Sequence, residues 1–298
     1  MFLTISGATG FIGRRLLNIY PPDKNSVIIL GRKNPELSPL FQFGHWNPTA
    51  AEPSRELLQR SEVIIHLAGE PVAQRWTPEA KNSIRDSRVI GTRNLVSAIG
   101  KLLHRPKTLI CASAVGIYGD RGDEILLESA KAASGFLPDV CSAWEAEADR
   151  AIEHGLRVVK IRIGIVLGAD GGALASMTPL FRAGVGGVLG SGKQWMSWIH
   201  VDDLVGMIQF AAENQSVSGV LNGVAPNPVT NREFTSNLAS ALHRPAFLPA
   251  PEFVVKLVYG EMAQILFASQ RVQPQAALKA GFQFQFPQLP PALAAIYP

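Results

Sequence analysis

The first thirteen residues constrain this chain more than any other stretch: Met1-Phe-Leu-Thr-Ile-Ser-Gly-Ala-Thr-Gly-Phe-Ile-Gly13 sets a β-prone apolar run directly before Gly7-x-x-Gly10-x-x-Gly13. That order reads as strand, glycine turn, helix start. Gly7 admits a sharp turn, Gly10 lets backbone amides approach a ligand, and Gly13 lets the helix pack on the strand. Thr9, Phe11 and Ile12 fill the turn and the first helical positions. The N–H groups there, at the positive end of the helix dipole, suit an anion, and the expected one is a dinucleotide pyrophosphate.

The 298 residues, 47% of them apolar, are enough for a large core in one or two domains. The apolar stretch at 253–268 is broken by Lys256, Glu261 and Gln264, so no run spans a bilayer. The first strand begins at residue 2, with no charged leader before it, and a cytoplasmic protein is expected. A net charge of +4 without basic runs calls for an anionic cofactor or substrate rather than nucleic acid. Two cysteines, Cys111 and Cys141, make neither a disulfide framework nor a metal cluster and read as core residues.

In chain order, Ile12, Leu16 and Ile19 give the first helix an apolar side that stops at Pro21-Pro22. A second strand at 26–30 ends in Gly31-Arg32-Lys33. A fold that prefers NAD places Asp or Glu near this point to hold the ribose 2′-hydroxyl. With no carboxylate present, a 2′-phosphate can sit over Gly31 and pair with Arg32, so NADP(H) is the expected cofactor. The segment 35–60 reads as a loop with a short third strand at Phe41-Gln-Phe43, and Trp46 either covers an adenine or fills core. Glu62-Val-Ile-Ile-His-Leu-Ala-Gly69 is a clear strand, 81–99 a long helix, and 108–113 and 158–163 two further strands. Strands alternating with helices predict a doubly wound α/β fold with a parallel sheet and a ligand at the strands' carboxyl ends.

Taken together, the glycine turn, His66-Leu-Ala-Gly69, Gly91-Thr92, Ser113-Ala-Val-Gly-Ile-Tyr-Gly119, Arg162-Ile-Gly-Ile-Val-Leu-Gly168 and Trp198-Ile-His-Val-Asp-Asp203 resemble the extended short-chain dehydrogenases/reductases. Trp144-Glu145, the 184–198 segment, Arg271-Val-Gln-Pro and Gly281-Phe282 look like that superfamily's atypical branch of epimerase-family proteins with unassigned substrate. The resemblance covers nearly the whole chain. It implies a Rossmann-type NADP-binding domain (1–167 and 198–225) and a smaller substrate-side region (168–197 and 226–298). It also implies that Leu67, Ala68, Gly69 and Val166 lie along the cofactor as close-packed or backbone contacts.

The chain departs from that superfamily where chemistry is expected. Its members use a Tyr with a Lys four residues on, and here Leu137 and Cys141 occupy those places. Tyr20-Pro-Pro-Asp-Lys24 has the spacing but lies at the far end of the first helix. Ser113 and Tyr118 are left as catalytic candidates: Ser113 faces substrate or bonds its own strand end, and Tyr118 acts as a displaced acid/base or packs beneath the cofactor. Arg88 pairs with a cofactor phosphate, a substrate carboxylate or a surface acid; Glu70 is a proton acceptor at the mouth; His66 reads as a satisfied core histidine.

Beyond Gly168 a glycine-dense loop system surrounds a short helix at 174–182. Lys193, Gln194, Trp195 and Trp198 then suit a planar or sugar-like anionic ligand, the alternative being a hairpin whose tryptophans fill core. His200 and Asp202 are an acid/base pair or a helix start capped by Asp202-Asp203. Thr230 and Glu233 open a helix at 234–242, 245–251 is linker-like, 253–267 is an amphipathic helix and 282–286 an alternating strand. The expected function is NADP(H)-dependent epimerase- or oxidoreductase-like chemistry on a small polar substrate, in a monomer or homodimer, without nucleic-acid or membrane partners. The alternative is a catalytically silent NADP(H)-binding sensor.

Overall fold

The computed structural model describes residues 1–34, 40–246 and 248–298. Positions 35–39 of the first loop and 247 of the linker-like run lie outside them. β1 (Phe2–Ser6) feeds α1 (Phe11–Ile19), then β2 (Ser26–Gly31), β3 (Gln42–His45), the short α2 (Arg55–Leu58) and β4 (Val63–His66). The long α3 (Pro78–Gly100) is capped by the Thr77 side chain, which accepts from the Ala80 N–H, and has Pro78 at its first position. β5 (Thr108–Ala114), β6 (Ile125–Leu126), α4 (Phe136–Asp149) and β7 (Arg157–Ile163) follow. Next come β8 (Ile165–Gly168), α5 (Gly172–Arg182), β9 (Trp195–Met196), β10 (Trp198–His200), α6 (Val201–Glu213) and β11 (Gly219–Gly223).

The main sheet runs β11-β7-β5-β4-β1-β2-β3, with every neighbouring pair parallel. Parallel neighbours require crossovers, and the helices that make them cover both faces, as the alternation predicts. Alternate strand residues sort by side. Leu3, Ile5, Ile29 and Ile65 join α1 and α6 in one core; Ile28, Leu30, Ile64 and Leu109 join α3 and α4 in the other. Trp46 belongs to the second core, where it is buried and donates from Nε1 to the Ala51 carbonyl; it is a filler and not an adenine cover.

A third core forms away from the sheet, where Leu174 and Phe181 of α5 and buried Trp198 meet Phe234 and Leu238 of α7 (Asn231–Ala241). β12 (Val229–Thr230) precedes that helix, whose capping box joins Thr230 and Glu233 reciprocally. The expected single tail helix is broken: α8 (Glu252–Tyr259) ends where Gly260 takes φ +61°, and α9 (Ala263–Phe267) resumes after one 3-10 turn. β13 (Arg271–Val272) pairs with β6, and α10 (Gln275–Lys279) and α11 (Leu289–Ile296) close the chain, with Leu289 and Leu293 of α11 entering the third core.

The alternating segment 282–286 is not a strand. The Asp203 carboxylate accepts from the Gln285 and Phe286 N–H groups at 2.6 and 2.9 Å, taking the place of a ladder. Phe282 meanwhile packs on Phe210 and Phe284.

Candidate functional site

Two of the three glycines are required by contact distances. Gly7 takes φ +75°, and a Cβ there would stand 2.7 Å from the Leu67 carbonyl carbon and 2.8 Å from the Ala68 nitrogen. A Cβ on Gly13 would stand 2.5 Å from Ala8 Cα and press on the Gly7 carbonyl oxygen. The turn is tied by Gly10 N–H to Gly7 O at 3.0 Å, and by Arg14 Nε to Thr9 O at 2.7 Å. Gly10 is the N-cap of α1 and no side chain caps this end. The N–H groups of Phe11, Ile12 and Gly13 therefore have no partner within the helix. Such an end binds an anion through its backbone and dipole. The Phe11 ring lies against two further glycines. Cβ atoms added to Gly168 and Gly171 would lie 2.6 and 2.5 Å from it, so these side-chain-free positions make room for the ring beside β8. Val166, 8% exposed, belongs to the same wall.

At the end of β2, Gly31 has open space over its Cα: a Cβ there would meet nothing closer than the Phe43 ring at 3.7 Å. Arg32 and Lys33 beyond it are exposed. At the end of β4, His66 is fully buried, with Nδ1 2.6 Å from Ser6 Oγ and Nε2 3.1 Å from Thr92 Oγ1. Burial pushes its pKa down to about 4, with the Arg88 charge adding to the effect. A depressed histidine pKa means that the unfolded chain binds the extra proton. The resulting stability is fully present above about pH 6.5 and is lost as pH falls toward 4, amounting to about 3 kcal/mol for such a shift. Unfolding titrations at pH 7.5 and 4.5 should therefore show a larger difference for the wild type than for His66→Gln; equal differences would refute this role.

Arg88 lies under the loop that follows His66. Its Nη1 donates to Glu70 O at 2.9 Å and Ile84 O at 3.0 Å, and a Cβ on Gly69 would stand 3.1 Å from its guanidinium carbon. The guanidinium also lies 5.2 Å from the Trp144 ring. Burial lowers its pKa, with the nearby Glu70 carboxylate opposing.

Ser113 and Tyr118 sit in a buried polar network at the end of β5. Ser113 Oγ donates to Glu145 Oε1 at 2.7 Å. Arg162 grips the same carboxylate with Nε and Nη2, at 2.8 and 2.9 Å, and donates from Nη1 to Tyr118 Oη at 2.9 Å. Tyr118, wholly buried, donates its hydroxyl hydrogen bond to Asn222 Oδ1 at 2.7 Å. Burial opposes the Glu145 charge, but Arg162, Ser113 and Lys160 outweigh it and hold the carboxyl below its usual range. Burial raises the Tyr118 pKa, with Arg162 opposing. Leu137 stands beside Gly116, and Cys141, one helical turn on, is buried with its thiol pushed up to about 12. The places expected for an acid–base pair are apolar.

The glycine-loop candidates divide. Trp198 is fully buried, with Nε1 donating to Asn227 O, and fills the third core. Gln194 is buried and donates to Leu189 O and Leu266 O, and Lys193 is exposed. Trp195 bonds Asp123 through Nε1 and carries Arg271 over its ring at 4.3 Å. His200, rather than Asp202, caps α6: its Nδ1 accepts from the Asp202 N–H at 3.1 Å, while Asp202 pairs with Arg15.

Sequence reasoning did not find the Glu145–Arg162 pair. Its signal is two cations, Lys160 and Arg162, alternating within an otherwise apolar strand, since a charge on a buried strand requires a partner. Among the described residues no cluster of three or more His, Cys, Asp or Glu side chains could hold a metal, and no helix is long and apolar enough to cross a membrane.

A glycine turn against the first strand, an uncapped helix start and a seven-stranded parallel sheet define a Rossmann-type fold. The model of the NAD dependent epimerase/dehydratase family matches residues 3–222, and a domain of unknown function, DUF1731, matches 250–296. The chain belongs to the NAD dependent epimerase/dehydratase family. It is 42% identical to a chloroplastic epimerase family protein of Arabidopsis thaliana over 99% of this chain and 86% of that protein. It is 38% identical to the epimerase family protein YfhF of Bacillus subtilis, over 99% and 98%. The crystal structure of human epimerase family protein SDR39U1 with NADPH superposes with a TM-score of 0.88 at 34% identity, covering 100% of this chain and 99% of that one. A Thermus thermophilus UDP-glucose 4-epimerase in complex with NAD, at 16% identity and TM-score 0.80, shares the fold over 100% and 98% of the two chains.

Proposed function

We propose that this chain binds NADP(H) across the carboxyl ends of β1, β2 and β4 and acts as an epimerase- or oxidoreductase-like protein on a small polar substrate. The observation that carries this reading is the glycine turn: positions 7 and 13 leave no room for a Cβ, and the α1 end presents uncapped amides. In this reading those amides hold the pyrophosphate, Leu67, Ala68, Gly69 and Val166 wall the cofactor, and Arg32 takes the 2′-phosphate over Gly31. The NADPH in the human relative's structure supports that choice, as does the lack of a carboxylate in Gly31-Arg32-Lys33. When bound, the cofactor supplies or accepts a hydride at its nicotinamide.

Ser113 and Tyr118 hold the end of β5 in this reading, because the proton of each is committed to a buried partner. The third core supports a substrate-side region at 168–197 and 226–298, although Trp198 links it to the sheet domain.

Titration with NADPH and NADH, following energy transfer from tryptophan to dihydronicotinamide, tests the reading. NADPH should bind at least about tenfold more tightly, and Arg32→Ala should remove that preference, the loss expected for a charge-assisted hydrogen bond. If neither nucleotide binds, the proposal fails.

A further inference from the structure

We infer that the site at the carboxyl end of β4 takes a substrate with a carboxylate on an apolar body, and that Arg88 anchors the carboxylate. The inference rests on the cofactor reading above and names the substrate class of the same site. A guanidinium carries five N–H donors. Only Nη1 of Arg88 has acceptors among the described residues, the carbonyls of Glu70 and Ile84. Nε and Nη2 have none, and neither is sealed in the interior: the fully buried side-chain polar atoms without a partner there are Tyr20 Oη, Trp144 Nε1 and Thr235 Oγ1.

A cation held partly out of water, stacked on Trp144 and fixed by two carbonyls, keeps donors aimed in a rigid fork. Such a fork matches a planar carboxylate best.

Its position points to substrate. In a doubly wound sheet the dinucleotide crosses at the first strand, with its adenosine half toward β2 and β3 and its nicotinamide half toward β4 and β5. Arg88 lies beneath Gly69 and Glu70 at the end of β4. Along the same face of α3, Ile84 packs with Trp76 and Met262, and Val72, Phe136 and Leu137 lie against them. Lys81, the next cation on this face, is engaged: it bonds Glu261 at 2.5 Å and lies 5.3 Å from the Phe136 ring. The site thus offers a half-buried cation with unengaged donors beside an apolar cluster, whereas the nearby Arg75 and Arg85 are exposed to water. Glu70 is the acidic group whose charge acts on Arg88, and it tempers the attraction.

The test uses the full chain saturated with NADPH, with 3-phenylpropionate as probe and its uncharged isostere 3-phenylpropanamide as control, each read by the fluorescence of bound NADPH. The acid should bind at least about tenfold more tightly than the amide. Arg88→Met should weaken the acid by about 30-fold, to the level of the amide, and Arg88→Lys should fall between, since it keeps the charge without the fork. Glu70→Gln should tighten the acid about threefold.

Equal binding of acid and amide, an unchanged acid affinity in Arg88→Met, or no acid binding to a formed NADPH complex would each overturn the inference. So would an Arg88→Met or Arg88→Lys protein that melts like wild type but loses NADPH itself, because Arg88 would then serve the cofactor phosphate. Failure of the wild type to bind NADPH would instead remove the cofactor reading beneath it.

Discussion

Gly13→Ala is expected to lower NADPH affinity about 100-fold, the equivalent of the 2–3 kcal/mol that overpacking against a fixed wall costs. The new methyl would meet only backbone, at Ala8 Cα and the Gly7 carbonyl, and neither can rotate away. Relief comes only from lifting α1 off β1, which moves the N–H groups that the pyrophosphate needs. Gly206→Ala is the matched control. It lies within α6, and its methyl would meet the Phe282 ring at an ordinary 3.8 Å. Affinity should be unchanged there, with up to about 1 kcal/mol gained in helix propensity. Wild-type NADPH binding by Gly13→Ala would show that the cofactor does not depend on this turn.

Arg162→Met carries the second large effect, a loss of about 3–5 kcal/mol in unfolding free energy, the range for stranding one member of a buried ion pair. Glu145 would lose both bonds from the guanidinium and Tyr118 its donor, while the carboxylate stays 7% exposed. Urea unfolding measures this directly. Glu145→Leu combined with Arg162→Met should recover at least half of the loss, because no charge is then left without a partner. A single Arg162→Met protein within about 1 kcal/mol of wild type would show that the pair contributes little.

Local rules were legible where one short stretch decides its own structure. The glycine turn, the alternating strands and the Thr230–Glu233 capping box follow from neighbouring residues, and the parallel sheet follows from the strand–helix alternation. Misread elements depend on residues far away in sequence. The 282–286 segment alternates as a strand does, yet its N–H groups are taken by Asp203. Trp198, readable from sequence either as a ligand face or as core filler, is drawn into the third core by α5, α7 and α11. The Asp202-Asp203 cap reading falls at the right junction, but the histidine two residues before Asp202 supplies the acceptor and frees both carboxylates for Arg15 and the tail. In the candidate site, the backbone of the glycine turn was readable because glycine leaves few alternatives. The engagement of Ser113 and Tyr118 was not, since it depends on Glu145 and Arg162 meeting across α4 and β7.

The short pairing of β13 with β6 has a consequence for biosynthesis. Ser269 bonds Asp120 and Gly122, Gln270 bonds the Val115 and Gly119 carbonyls, and Asn222 bonds Gln273. The Ser269 and Gln270 contacts cross roughly half the length of the chain, so loop closure must precede them. A nascent chain leaving the ribosome holds its 115–126 segment without these partners until the tail has been translated. The final residues therefore act as a clasp that completes the nucleotide domain from outside, and arrest of translation before residue 269 would leave that strand end open to chaperones.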